Sequence, residues 1–131
     1  MKKSLALTAS LFFSAPLSVL ADGEFSVSCP SAEEVNKNTC KEDKDKKSQC
    51  TRDIPSQHGG AWIGDFNTEN SDVLKLQTVW QDIFFNPVCL YIIKNDNKSV
   101  TLKNKTLNGL GCIPNKKENG FVCEGVDLNR K

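Results

Sequence analysis

Val88-Cys89-Leu90-Tyr91-Ile92-Ile93 is the most apolar run after residue 21 of this 131-residue chain. A short continuous apolar run rich in β-branched and aromatic residues reads as a buried strand, and residues 88–93 are expected as the central strand of a sheet. On their C-terminal side, Asn95-Asp96-Asn97 turns the chain back into a second strand over residues 99–103, which makes a hairpin. On their N-terminal side, Ile83-Phe84-Phe85 runs into Asn86-Pro87, a turn. Before that turn, residues 73–80 alternate. Leu74, Leu76, Thr78 and Trp80 fall on one face, and Val73, Lys75, Gln77 and Val79 on the other, the period-two pattern of a half-buried strand.

Further out the signals are shorter. Residues 61–66 form a strand bounded by Gly59-Gly60 and Asn67, after turn material at 54–60. Residues 107–111 read as a loop, and Phe121-Val122-Cys123 as a final short strand. Phe25 and Val27 suggest an edge strand near the start. Ser31 followed by Glu34 has the spacing of a capping box, so a short helix is expected from about residue 32 to 38, with Val35 facing inward. The charged stretch Lys41-Glu42-Asp43-Lys44-Asp45-Lys46-Lys47 mixes both signs and reads as a solvated loop. The expected class is α+β: a small, disulfide-stapled antiparallel β-sheet with one short N-terminal helix.

Residues 1–21 have the parts of a cleavable signal peptide. Lys2 and Lys3 form the basic end, an uncharged apolar run follows from Leu5 to Leu20, and Val19 and Ala21 are small enough for cleavage before Asp22. The run is shorter than a spanning helix needs and is interrupted by Pro16. The expected mature protein is therefore a single domain, residues 22–131, with no membrane span, exported to the periplasm or beyond. Loss of Lys2 and Lys3 changes the formal charge of the whole chain, +1, to about −1. That balance lacks the basic surplus of a nucleic-acid binder.

All six cysteines, Cys29, Cys40, Cys50, Cys89, Cys112 and Cys123, lie in the mature part. An even number behind an export signal reads as a disulfide framework. No close pair has the spacing of a zinc site or a redox Cys-x-x-Cys, so neither a metal nor another cofactor is expected. Sequence does not select rigorously among the possible pairings. Cys40 and Cys50 bracket the charged segment, Cys112 and Cys123 bracket a loop containing Pro114 and Gly120, and Cys29 is then left for Cys89.

Catalytic constellations are thin. His58 is the only histidine, it sits in a Gly-rich turn, and no Gly-x-Ser-x-Gly elbow accompanies it. Asp65 and Asp82, near Trp62 and Trp80, are the least implausible carboxylate pair. Core packing is the expected role of Trp62, Trp80, Phe84 and Phe85, because small domains need their largest side chains inside. A patch of Trp62, Trp80 and Phe84 left at the surface is the candidate interaction surface. A non-enzymatic protein is expected.

The order of motifs resembles a family. Cys29-Pro30 precedes a short helix, Gly60-Ala61-Trp62-Ile63-Gly64 follows, then a strand ending near Trp80 and Phe84, then Val88-Cys89-Leu90-Tyr91 and Phe121-Val122-Cys123. Over about residues 29–123 this is similar to the small periplasmic EirA-like proteins associated with the Dot/Icm type IVB secretion system of intracellular bacterial pathogens. Cys40, Cys50 and the lysine-rich segment between them look like an addition to the pattern. The resemblance implies a periplasmic accessory protein with a protein partner in the cell envelope, supporting secretion or intracellular growth, and carries over no catalytic residue. The competing expectation is a small inhibitor of a hydrolase such as lysozyme or a protease. Its inserted element would be the loop 113–122, since a disulfide-rigid loop loses little entropy on binding.

Overall fold

The run at 88–93 forms an interior strand. In chain order the computed structural model contains β1 (Glu24–Ser28), α1 (Ala32–Lys37), β2 (Lys41–Glu42), β3 (Gln49–Pro55), β4 (Ala61–Asn67), β5 (Val73–Gln81), β6 (Pro87–Ile93) and β7 (Ser99–Lys103). A 3-10 turn over Lys105–Leu110, β8 (Ile113–Asn115), a second 3-10 turn over Lys116–Glu118 and β9 (Gly120–Glu124) complete it. The structure describes residues 23–125, apart from 43, 46 and 96 and the side chains of 108 and 109. The signal peptide expected at 1–21 lies outside the described residues. No helix among the described residues is long and apolar enough to cross a membrane.

The strands divide into two antiparallel sheets rather than the single one expected. One has six strands in the order β2-β3-β4-β7-β6-β5, and the other has three in the order β1-β9-β8. The reason is local: β1 pairs with β9 along its whole length, Glu24 opposite Glu124 through Ser28 opposite Gly120. The lack of a side chain at Gly120 permits that approach, because a Cβ there would meet the Val27 carbonyl. β6 is one strand in from the β5 edge rather than at the centre. It nevertheless has the most buried sequence, with Cys89, Tyr91 and Ile93 turned to the core and Val88, Leu90 and Ile92 to the other side. The two sheets meet through their inner faces, where Trp62 of β4 stacks on Phe121 of β9 at 6.2 Å between ring centroids.

The alternation expected in β5 is broken twice. Its register with β6 slips between Val73 and Lys75 and again between Leu76 and Thr78, so Leu74 and Gln77 are unpaired extra residues. Each extra residue resets which face the chain presents. Val73, Leu76 and Val79 consequently turn inward at a spacing of three, while Lys75, Thr78 and Trp80 share the outer face and Leu74 is exposed. Leu74, Leu76, Thr78 and Trp80 therefore do not form one face.

The helix ends one residue earlier than expected and keeps its capping box. Ser31 Oγ accepts the Glu34 N–H at 3.1 Å, and Glu34 Oε1 accepts the Ser31 N–H at 3.2 Å. Val35 is fully buried, and Asn36 reaches the edge of the large sheet. Asn36 Nδ2 donates to the Val73 carbonyl at 2.9 Å and Oδ1 accepts the Val73 N–H at 2.8 Å, so one side-chain amide does the work of a neighbouring strand. At the C-terminal end of α1, the buried Arg52 donates from Nε to the Asn38 carbonyl at 2.9 Å and from Nη1 to the Ser71 carbonyl. Its guanidinium lies over the Phe66 ring, 4.7 Å from the centroid, and Nη2 stands 3.7 Å from the Asp72 carboxylate. Burial lowers the Arg52 pKa, and the nearby Asp72 opposes the shift.

All three expected disulfides are present: Cys29–Cys89, Cys40–Cys50 and Cys112–Cys123. The first ties the segment after β1 to β6 and so joins the two sheets. Beside it, the buried Tyr91 hydroxyl donates to the Pro30 carbonyl at 2.6 Å. Burial, with the Glu34 carboxylate as a second cause, pushes the Tyr91 pKa upward, so the phenol stays a donor. The segment read as a solvated loop at 41–47 begins with the exposed two-residue strand β2 paired to β3. The loop expected at 107–111 is mostly the first 3-10 turn, which the Asn104 side chain caps by accepting the Thr106 N–H at 3.1 Å.

Candidate interaction surface

The connection between β5 and β6, residues 82–86, is organised by one carboxylate. Asp82 Oδ1 accepts the N–H groups of Phe84 and Asn86, both at 2.9 Å, and Oδ2 accepts from Asn86 Nδ2 at 3.0 Å. The Asp82 carbonyl accepts the Phe85 N–H at 3.0 Å, and the Asn86 carbonyl accepts the Asp82 N–H at 3.1 Å. This is the local competition of an Asp side chain with regular structure, used to close a turn. Pro87 keeps Asn86 out of helical backbone and starts β6. Phe85 is held at φ 64°, a conformation that β-carbon-bearing residues avoid, so the turn carries backbone strain.

What the turn exposes is apolar. Ile83, Phe84 and Phe85 are 85%, 67% and 65% exposed. The sequence expectation of core packing therefore fails for Phe84 and Phe85, because the Asp82 turn points them away from both sheets. It holds for Trp62, which is 2% exposed. Trp62 thus cannot belong to a surface with Trp80 and Phe84. The core-packing expectation fails for Trp80 as well, which is exposed (36%) on the outer face of β5.

Burial alone would raise the Asp82 pKa. The hydrogen bonds from the Asn86 side chain and backbone, the Phe84 N–H and Lys103 outweigh it and hold the carboxyl at about 2, below the ordinary 3.8. Lys103 Nζ lies 3.3 Å from Asp82 Oδ2. A carboxyl depressed in the folded state adds stability that is complete above the unfolded value and is lost as pH falls through the folded one. The melting temperature of the native protein is therefore expected to exceed that of Asp82→Asn at pH 6, with the gap closing between about pH 4 and pH 2. Thermal unfolding of both proteins across that range checks it, and a gap that stays constant would contradict it.

Lys103 connects the turn to the outer face of the large sheet. The strand register places Trp80, Val88, Lys103, Ile63 and Asp53 in one row across β5, β6, β7, β4 and β3. Val88 is buried within this row, whereas Ile63 is exposed beside a groove of about 420 Å³ lined by Ile63, Gly64, Asp65, Thr101, Lys103 and Lys105. Gly64 sets the closeness of β4 and β7 there, since a Cβ would collide with the Thr101 carbonyl. The row and its groove carry apolar groups together with the lysines Lys103 and Lys105 and the carboxylates Asp53 and Asp65.

The acid–base candidates are engaged individually. Asp65 accepts from Thr51 Oγ1 at 2.9 Å, and Asp82 is committed to its turn. His58 packs its ring against Phe25 at 5.2 Å, at the edge of a polar cleft of about 210 Å³ that Glu34 also lines. The six cysteines are all bridged. The hairpin of β8 and β9 is closed by Cys112–Cys123 and exposes Ile113. The surface residues that sequence reasoning missed are Ile63, Ile83 and Phe85. For the last two, the available signal was an Asp four residues before Asn-Pro with only apolar residues between. Compared with known proteins, the chain matches no family model, no curated protein and no solved structure.

Proposed function

We propose that the chain is a non-enzymatic accessory protein of the periplasm, exported by its N-terminal signal, that binds a protein partner of the cell envelope in support of type IV secretion or intracellular growth. The observation that carries the reading is the uncovered outer face of the large sheet, where Trp80 and Ile63 are exposed on either side of Lys103 in one cross-strand row. An aromatic anchor beside aliphatic and cationic groups is the composition of a binding hot spot. The three disulfides suit an oxidising compartment. The groove beside Ile63 offers Lys105 to an acidic residue of the partner, Lys103 being paired with Asp82.

The test is a photo-crosslinking residue placed at Ile63 in the exported protein, with Glu33 on the exposed face of α1 as control. The expected result is an adduct with one envelope protein at Ile63 and none at Glu33, and a component of a secretion apparatus in that adduct supports the finer reading. A hydrolase in it favours the inhibitor instead, for which the exposed Ile113 on a disulfide-closed hairpin is the structural argument. Equal labelling at both positions rejects a partner on this face.

A further inference from the structure

We infer that the Asp82 turn is a membrane-contacting tip that seats Ile83, Phe84 and Phe85 in the surface of a phospholipid bilayer. This contact is made by the turn itself, next to the protein-binding face with which it shares Trp80 and Lys105, and it stands or falls with the turn residues alone. The tip presents three consecutive apolar side chains, each about two-thirds exposed or more. Its amides at Phe84, Phe85 and Asn86 are already bonded to Asp82, which matters in a medium that offers no acceptor for a free N–H. Its one carboxylate is paired with Lys103, so no uncompensated negative charge enters the interface. Trp80, at the base of the same hairpin, sits where an indole favours the headgroup level. Gln81 Nε2 donates to the Cys112 carbonyl, which places the exposed Ile113 beside the tip strand.

Charge complementarity selects the occupant. With Lys103 paired to Asp82, Lys105, just beyond the tip end of β7, is the cation whose counter-charge the phosphates of an anionic bilayer supply at the depth where the apolar side chains insert. A groove on a protein would have to enclose an exposed turn on several sides, whereas a bilayer deforms around it. The strained Phe85 and the rigid Asp82 bonds pre-form the inserted shape, so insertion orders nothing further.

The experiment uses the purified disulfide-bonded protein and vesicles of phosphatidylethanolamine and phosphatidylglycerol, read by co-sedimentation and by quenching of Trp80 with brominated lipid. The triple variant Ile83→Ser, Phe84→Ser, Phe85→Ser changes only exposed side chains, and unchanged thermal unfolding confirms that it folds. Its vesicle partitioning is expected to fall by roughly tenfold or more, the consequence of removing three insertable apolar groups. Leu74→Ser, which removes an exposed apolar side chain elsewhere on β5, leaves partitioning unchanged. Native protein that does not sediment with vesicles, or a triple variant that sediments as well as the native one, overturns the inference. So does a crosslink from Phe84 to an envelope protein in the absence of any vesicle binding.

Discussion

Replacing Cys29 and Cys89 together by serine is expected to destabilise the protein by about 4 kcal/mol through the loss of loop closure alone. The bridge closes a loop of 60 residues and is the only disulfide that joins the two sheets. The local bridges span 10 and 11 residues. The same chain-entropy relation assigns each of these about 3 kcal/mol. Two further effects widen the difference. Cys29 and Cys89 are buried among apolar side chains, where two serine hydroxyls have to find partners or remain unsatisfied. Opening the bridge also releases the Pro30 carbonyl that Tyr91 holds, which leaves a buried phenol without its acceptor. A domain of this size has about 5–15 kcal/mol in total, so this one change removes a large share. Guanidinium unfolding of the two double-serine proteins, Cys29/Cys89 and Cys40/Cys50, measures the contrast. If the Cys40/Cys50 protein proves the less stable of the two, the inter-sheet bridge does not hold the place given to it here.

Arg52→Ala is the second large effect, about 3 kcal/mol or more. Arg52 is 3% exposed, and Asp72, its ionic partner, is 59% exposed at 3.7 Å. The pair is therefore largely screened on one side and contributes little by itself. The energy lies in the two carbonyl groups, Asn38 and Ser71, that the guanidinium satisfies at once, and in the packing of its stem and plane on Phe66. Asp72→Asn is accordingly expected to cost less than about 1 kcal/mol. Arg52→Lys should fall between, because an ammonium keeps the charge but loses the fork and the stacking. Denaturant titration of the three variants orders them. A loss in Asp72→Asn equal to that in Arg52→Ala would show that the ion pair, rather than the carbonyl bonds, carries the stability.

Arg52 and the bulged strand β5 mark the limits of what the sequence disclosed. The capping box at Ser31 and Glu34, the hairpin joining residues 88–93 to 99–103 and the two short disulfide loops were legible, because each depends on neighbours or on local brackets, whereas Cys29–Cys89, 60 residues apart, followed only as the pair left over. The inward faces of β5 were not. A bulge adds one residue without changing composition, so Leu74 and Gln77 look like ordinary members of an alternating strand until their partners on β6 are known. Arg52 was silent for a related reason: its carbonyl partners at 38 and 71 are brought together only by the fold. The candidate surface was half legible. Trp80 and Phe84 are at the surface, but hydrophobicity by itself argues for burial, and only the Asp82 bonds explain why Phe84 and Phe85 point outward. Trp62 was wrongly grouped with them because proximity to a glycine-rich turn does not reveal which face of β4 it occupies.

The Cys29–Cys89 bridge has a consequence for the order of events during synthesis. The pairing is nested: the Cys40–Cys50 loop lies wholly inside the Cys29–Cys89 loop. A chain that emerges from its N-terminus presents Cys29 to Cys40 and then to Cys50 long before Cys89 appears. Oxidation in order of emergence would therefore join the first cysteine to the wrong one. The helix α1 and β3 must bring Cys40 to Cys50 first, leaving Cys29 as a waiting thiol, or a mispaired bond must be undone by thiol–disulfide exchange, on the scale of seconds to hours. Maturation of this small domain is thus governed by how long one sulfur stays reduced.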